Sequence, residues 1–559
     1  MAKGTPDLEP IFASAPHVFE HRFTTPRQHH GYIEPRSTVV WIDPDGLVHV
    51  HSPNKAPFKL KEHLSIVAEI PVDRIVIEPS YIGGDFGGKG LVIDEFACYF
   101  LAKATGRPVK AITRYTDELR GTVVRHRSEI RLRTAVDRDG VFLAFEAEVI
   151  YNGGAYAAPK INPMLLPGGL GFATAGYRVP HVQIDVLSMY TNTVPAGNMR
   201  SPVDVQTFFA MEVHVDTIAR ALGIDPLEFR LRNVMRPDTA ITDQAVNATR
   251  GRGARGATAR GRLEEAPAAG ARARTTDGWL EVIYGTPDQG SGSATVVQRV
   301  LAAELGIARD RIGVRRHNTS DALVDPGAGA SRVTHIVGNA TISAARRLKA
   351  RLEARSGMQL VDGDFVDAAG KRESFADVAG RVCAQGPLRI SGDYNSEHEA
   401  DHKSGDFSFS AFAIEVAVDR ETGAIKVVDA VLVIDVATIL NPIGHQGQIE
   451  GGFVYGIGGA LQEELLYEDG KLTALSLGEY KLPTIMDLPP LRTVHVPGAP
   501  GNGPFGAKMA GELSNSGVAP AIANAVYDAA GVWLTTFPLT PERVYDAIQA
   551  HGASKEEVR

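Results

Sequence analysis

Glu512 stands among glycines at 501, 503, 506 and 511, just ahead of a segment from Val518 to Ala530 that carries Ala, Ile and Val at helical spacing. Glycine lets a backbone approach a ligand closely, and a following helix fixes the loop, so a carboxylate there could take a proton from something bound beside it. On composition alone the same stretch also reads as an ordinary turn with a solvated side chain. Three more stretches share the build. GGDFGGKG follows the strand-like VDRIVIEPSY, and its amides would suit a polar or anionic ligand, although it matches neither the phosphate loop GxxxxGK[ST] nor the dinucleotide pattern GxGxxG. GTPDQGSGSAT joins the strand-like WLEVIY to a helical run and offers Asp288, Gln289, Ser291 and Thr295. HQGQIEGGFVYGIGGAL spaces glycines at 447, 451, 452, 456, 458 and 459 for close packing against another element. Four such loops, far apart in sequence and each beside a strand or helix end, predict one extended ligand held by both halves of the chain.

The elements that position them are legible from turns and periodicity. RSTVVWIDPDGLVHVHS reads as two strands joined at DPDG, LVIDEFACYFLAKATG as a helix closed by Gly106, and PVKAITRY as a further strand. EIRLRTAVDRDGVFLAFEAEVIYNGGAYA predicts a long hairpin turning at DRDG, and FSFSAFAIEVAVDRETGAIKVVDAVLVIDVATILNP a second one turning at ETG. Helical spacing runs from Val205 to Gly223, Pro226 opens a second helix in its first turn, and a domain is expected to end near Asn233. Between Asn247 and Arg274 the composition shifts to Ala, Arg and Gly without aromatics or periodicity, which predicts a linker.

The 559 residues suffice for two to four domains, and 44% hydrophobic with 22% charged residues is ordinary for globular chains. A net charge of −8 argues against a nucleic-acid partner, and the Arg/Gly tract lacks the interleaved aromatics such a role would use. Cys98 and Cys383 are the two cysteines, outside any CxxC pattern, so the chain is expected to carry no iron–sulfur cluster or zinc cage and to keep both as core thiols in a reducing compartment. There is no 18-residue apolar run, and the N-terminus is too polar for a secretory signal, which predicts a cytoplasmic protein without a membrane span.

In order, from about residue 17 to residue 550, the motifs GGDFGGK, RSPVDVQTFFAMEVHVDTIARALGIDPLEFRLRN, GTPDQGSGSATVVQRVLAAELGI, SRVTHIVGNA, NPIGHQGQIEGG, YKLPT and GAKMAGE resemble the large, molybdopterin-binding subunit of the xanthine oxidase family of molybdenum hydroxylases. The resemblance implies an α+β fold of two elongated molybdenum-cofactor-binding domains with mixed sheets and packed helices, residues 1–236 and 277–559, joined by the Ala/Arg/Gly-rich linker 237–276. It implies that Glu512 is the general base, taking the proton from the metal's hydroxide as oxygen attacks an electron-poor carbon, and that Arg200 stabilises developing negative charge. Gly84, Asp85, Phe86, Gly87 and Gly88 match the loop that approaches the metal. Gln289, Gly290, Ser291, Gly292 and Gln448 match loops that hold the pterin and its phosphates, with Ser331, Arg332, Lys508 and Gly511 as further contacts. Molybdenum itself would be held by the pterin dithiolene, in the cytosine dinucleotide form of the cofactor, with no direct protein ligand.

The electrons left on molybdenum need an exit, which implies an iron–sulfur subunit with two clusters and an FAD subunit. The family's large subunit begins with a hammerhead domain ahead of the segment matching HVFEHRFTTPRQHHGYIEP, and here that domain is expected on a separate subunit. Three local departures accompany the match. Pro53 beside Asn54 replaces a glutamine near the metal's oxo ligand, the GQG loop reads GSG at Gly290–Gly292, and RSPVD lacks the cysteine of the carbon monoxide branch, which disfavours that substrate. The expected reaction inserts water-derived oxygen into an N-heterocyclic or aldehyde carbon of a small molecule lodged near the loop 156–166. The alternatives are an aromatic-thioester reductase of the same architecture and a non-catalytic scaffold.

Overall fold

Turn chemistry sets the first layer. In the computed structural model, which describes residues 2–5, 7–90, 93–157, 176–235, 271–276, 279–314, 318–384, 386–394 and 408–556, the DPDG turn joins strands Ser37–Ile42 and Val48–Ser52, with Gly46 at φ 87°. They lie in the middle of a four-stranded sheet ordered Ile75–Pro79, Val48–Ser52, Ser37–Ile42, Val109–Ile112. Helices Pro57–Ala68 and Asp94–Thr105 cover it, burying Val40, Val50, Leu60, Leu64, Ile77 and Cys98. The GGDFGGKG loop leaves the end of strand Ile75–Pro79 and leads toward helix Asp94–Thr105, which Gly106 closes in the left-handed region, as the sequence predicts.

The DRDG hairpin, Arg127–Val136 with Phe142–Gly154, is the centre of a five-stranded sheet ordered Ala2–Lys3, His181–Tyr190, Phe142–Gly154, Arg127–Val136, His17–Thr25. Alternate residues Ile130, Leu132, Thr134 and Val136 are buried, the period-2 pattern of a sheet with one covered face. Helix Asp204–Ala221 lies on that face, and helix Pro226–Asn233 follows, capped by the Asp225 carboxylate, which accepts from the amides of Leu227 and Glu228. Later, strands Phe409–Val418, Ile425–Asp435 and Leu491–His495 form a three-stranded sheet with helix Val518–Ala530 packed on its first strand. A further four-stranded sheet is ordered Ile312–Val314, Trp279–Ile283, Ala271–Thr276, Leu388–Gly392, against helices Ser293–Leu305 and Gly338–Ser356.

Two features depart from the expected division of the chain. Residues 271–276, assigned to the linker, form a strand paired on both sides, with Trp279–Ile283 and with Leu388–Gly392. Backbone pairing needs no apolar periodicity, which is why ARARTT gave no sign of it. The rest of the Ala/Arg/Gly tract lies outside the described residues. The cores also do not follow sequence order. One is built by residues 280–388. The largest joins Phe23, Leu132, Phe145, Phe209 and Phe229 to Phe453, Val518, Ile522, Val526, Phe537 and Val544. The last elements of the chain therefore complete the sheet of the first.

Candidate active site

Glu512 is the residue just before a four-residue helical turn, Leu513–Ser516, and it is half-buried. Its Oε1 accepts the backbone N–H of Ser201 at 3.1 Å, and its backbone carbonyl accepts the Ser201 hydroxyl at 2.8 Å. Among the described residues no donor engages Oε2, so one oxygen is anchored and the other is left for chemistry. Arg200, the residue before Ser201, is nine-tenths buried and ties two loops and helix Pro442–Leu461 to its own segment. Its N–H donates to the Phe86 carbonyl at 2.7 Å, Nε to the Gly511 carbonyl at 2.7 Å and Nη2 to the Gln448 carbonyl at 2.8 Å. Burial lowers the guanidinium's pKa, against the opposing pull of Tyr455 and Glu512.

The glycine loops meet here. Gly87 sits at φ 110°, and a Cβ on it would collide with the Asn198 carbonyl, so only glycine lets this loop lie flat on the Asn198–Arg200 segment. Phe86, at φ 48°, sets its ring 5.0 Å from that of Tyr455 on helix Pro442–Leu461. The same helix approaches through Gly452, where a Cβ would strike the Ser514 hydroxyl and lie 2.9 Å from Arg200 Nη2. The Gly511 amide reaches Ser331 Oγ at 3.4 Å, Arg332 Nη1 holds Asp325 at 2.6 Å, Asp325 packs beside Gly285, and the Asp288 carbonyl accepts from Ile82 at 3.0 Å. These contacts link the loops at 82–88, 198–201, 285–292, 325–332 and 511–512 in a ring, with each end of the chain contributing.

The predicted site residues divide into two kinds. Arg200, Phe86, Gly87, Gln448, Ser331, Gly511 and Glu512 come together in the contacts above, while Gly290 and Gly292, at φ 94° and 73°, flank Ser291 ahead of helix Ser293–Leu305. Asp85, Arg332 and Lys508 instead have their charges engaged in holding loops. Asp85 Oδ2 accepts from Gly87 N at 2.8 Å and Oδ1 from Lys89 N at 2.6 Å, and Lys55 Nζ pairs with it at 3.1 Å. Burial opposes its ionisation, but Lys55 and the two amides outweigh it and hold the carboxyl below its usual range. Three of the amides of GGDFGGKG therefore hold the loop itself. The amides of Gly87, Gly88 and Lys89 all turn inward to Asp85, and the Lys89 ammonium bonds Glu34 at 2.6 Å. Asp288 likewise caps the amides of Gly290 and Gly292 at 2.9 and 3.2 Å. Arg332 braces Asp325 and the Gly327 carbonyl, and Lys508 pairs with Asp435 at 2.8 Å. Asn54, beside Pro53, faces its own backbone and Glu95, so the side chain reaching the glycine loop from this segment is Lys55. Of the loop 156–166, residues from 158 onward lie outside the described residues.

Sequence reasoning missed Ser201, Arg125 and Lys55. Arg125, almost fully buried, donates to the carbonyls of Arg200 at 2.8 Å and Ser201 at 3.1 Å. The signal available was RSPVD itself, where a non-glycine residue follows the arginine. Ser201 and Val203 take up φ 55° and 61°, values that need a surrounding constraint in residues with a Cβ.

Four buried polar atoms on the ring lack a partner among the described residues: Thr286 Oγ1, Gln289 Oε1, Asp325 Oδ2 and Arg332 Nε. Buried polar groups are seldom left so, and this mix of acceptors, a hydroxyl and one N–H donor suits the amide and amine edge of a bound heterocycle such as a pterin. The residues present fit that group.

Comparison with known proteins gives the same direction. A family model described as molybdopterin cofactor-binding domain matches residues 1–234, and a second of the same description matches 238–489. The chain is 30% identical to one subunit of a probable xanthine dehydrogenase of Bacillus subtilis, over 98% of this chain and 78% of that one. It is 29% identical to an aldehyde oxidoreductase of Megalodesulfovibrio gigas, over 97% of this chain and 62% of that one. Quinoline 2-oxidoreductase of Pseudomonas putida 86 superposes with a TM-score of 0.87 at 26% identity, covering 98% of this chain and 78% of that chain.

Proposed function

Because the chain belongs to the molybdopterin-binding large subunits of molybdenum-dependent oxidoreductases, we propose that it is the catalytic subunit of a hydroxylase acting on an N-heterocyclic or aldehyde carbon, with Glu512 as its general base. The observation that carries the reading is the Glu512 carboxylate, anchored at Oε1 by the Ser201 amide and unengaged at Oε2, inside the ring of glycine loops. When bound, the molybdenum–pterin group, in its cytosine dinucleotide form, supplies the oxidant and the water-derived oxygen. Glu512 Oε2 receives a proton during oxygen transfer, and the Ser201 N–H holds Oε1 so that Oε2 stays aimed. Arg200 keeps the Glu512 loop closed through the Gly511 carbonyl, and its Nη1, with no partner among the described residues, stabilises negative charge developing on the substrate. Thr286, Gln289, Asp325 and Arg332 would hold the polar edge of the pterin, and Phe86 with Tyr455 would exclude water from one side.

The electrons are proposed to leave through an iron–sulfur subunit with two clusters and an FAD subunit. Supporting this, Cys98 and Cys383 are buried in separate cores, so the two thiols do not meet at one site to ligate a cluster together. Those two buried free thiols also support a cytoplasmic setting. Glu512→Gln is expected to keep molybdenum at the wild-type ratio and lower kcat by roughly 10²–10⁴-fold, the range for loss of a general base. Near-wild-type turnover in that variant removes Glu512 from the mechanism. Assay of the complex with a dye acceptor against heterocycles, aldehydes and aromatic thioesters separates hydroxylase from reductase.

A further inference from the structure

The peptide unit between Arg200 and Ser201 is gripped from both sides. Its carbonyl oxygen accepts from Arg125 Nη2 at 2.8 Å and from Asn515 Nδ2 at 3.2 Å, while its N–H donates to Glu512 Oε1 at 3.1 Å. Arg125 Nη1 takes the next carbonyl, Ser201 O, at 3.1 Å, so the two prongs of one planar guanidinium hold successive carbonyls. This fixes a stretch that would otherwise relax. Left-handed φ values at Ser201 and Val203 are costly in residues that carry a Cβ and persist only where the surroundings impose them. If the peptide rotated toward ordinary dihedrals, its N–H would swing away from the carboxylate.

Arg125 itself is costly to bury. Among the described residues it forms no ion pair, its Nε lacks a partner, and burial pulls its pKa down. A residue serving packing alone would be better replaced by an apolar side chain of similar volume.

We propose that Arg125 is a positioning residue for the general base, fixing the Arg200–Ser201 peptide so that the Ser201 amide stays on Glu512 Oε1 and keeps that carboxylate aimed. The inference rests on Glu512 being the general base. The titratable and charged groups around the pair are Arg200 from the same segment, Tyr455 from helix Pro442–Leu461, and Glu463 and Tyr480 behind Arg125. Glu463 is pushed by burial up to about 8, so across the acid range it is neutral and adds no opposing charge. Losing Arg125 frees the Arg200–Ser201 peptide to rotate, the Ser201 N–H then leaves Glu512 Oε1, and the carboxylate loses its aim, which lowers kcat more than it raises KM.

The test uses the complete complex carrying Arg125→Met, Arg125→Lys or Asn515→Leu, with kcat and KM measured separately beside molybdenum per chain and melting temperature. Arg125→Met is expected to cut kcat about tenfold, with KM and metal content near wild type. Arg125→Lys restores the charge but not the two-pronged grip, and should recover part of the loss. Asn515→Leu, losing one donor to the same carbonyl, should lower kcat less and leave KM alone. An unchanged kcat in Arg125→Met with metal retained overturns the proposal, as does full restoration by lysine, which would make the effect one of charge alone. If Arg125→Met fails to assemble, an unchanged kcat in both other variants overturns it. Glu512→Gln separates the two claims: an active Glu512→Gln sinks the general base, whereas an inactive one beside a fully active Arg125→Met sinks only the positioning role.

Discussion

Glu463 shows what burial does to one carboxyl in this site. It is 1% exposed, with the Tyr480 hydroxyl 3.2 Å from Oε2, and burial pushes it from 4.5 up to about 8, against the smaller pulls of Tyr480 and Arg125. A carboxyl raised on folding binds a proton that the unfolded chain has already lost, so stability is greatest below pH 4.5 from this group's standpoint and declines as pH rises toward 8. Glu463→Gln should flatten that slope, measured as melting temperature at pH 5 and pH 8, with the variant gaining on wild type at the higher pH. Neither Glu463 nor Arg125 was legible in the sequence, because a charge beside apolar residues does not announce whether it will be exposed. Glu512 was legible as a candidate from its glycine setting, and its standing came from the order of the other motifs. The Ser201 amide that anchors it could not be seen, since backbone groups carry no residue type.

At the scale of elements, the loops are held by close approach more than by side chains. A Cβ at Gly452 would meet Ser514 and Arg200, and one at Gly456 would lie 2.5 Å from a Val518 methyl carbon, so helix Pro442–Leu461 can seat against the Glu512 loop only with glycine at these positions. Gly452→Ala should displace Arg200, destabilise by about 1–3 kcal/mol as overpacking does, and lower kcat more than it raises KM, read from melting and steady-state kinetics. The sequence predicted this close helix packing from the glycine spacing, and the strand, loop and helix order of both cradles from turn residues. It did not show that Gly87, Gly88 and Lys89 turn their amides to Asp85, since an amide-rich loop looks alike whether its amides face a ligand or its own aspartate. Asp85→Ala should therefore loosen that loop and lower molybdenum content without touching Glu512, which metal analysis beside a melting curve would register.

For the whole molecule, periodicity could give each helix and strand but not the partner across the chain, because the residues that close one core lie hundreds of positions apart. Phe209, in the first half, has its ring 4.8 Å from that of Phe537, and Thr24 bridges to Thr536. Residues 1–236 produced alone should therefore be insoluble, with the face of helix Asp204–Ala221 that packs on helix Val518–Ala530 exposed. A soluble, cooperatively melting fragment would contradict the shared core.

That shared core has a consequence in time. A ribosome makes the chain from its N-terminus, so the sheet around Arg127–Gly154 waits through several hundred residues before Val518–Ala530 emerges to cover it. Glu512 and the Gly511 carbonyl that Arg200 grips arrive in the same late stretch. The newborn protein thus has an interval in which the Phe86 and Arg200 loops exist but the last wall of their enclosure does not, and the site is sealed only once that late stretch has emerged and folded.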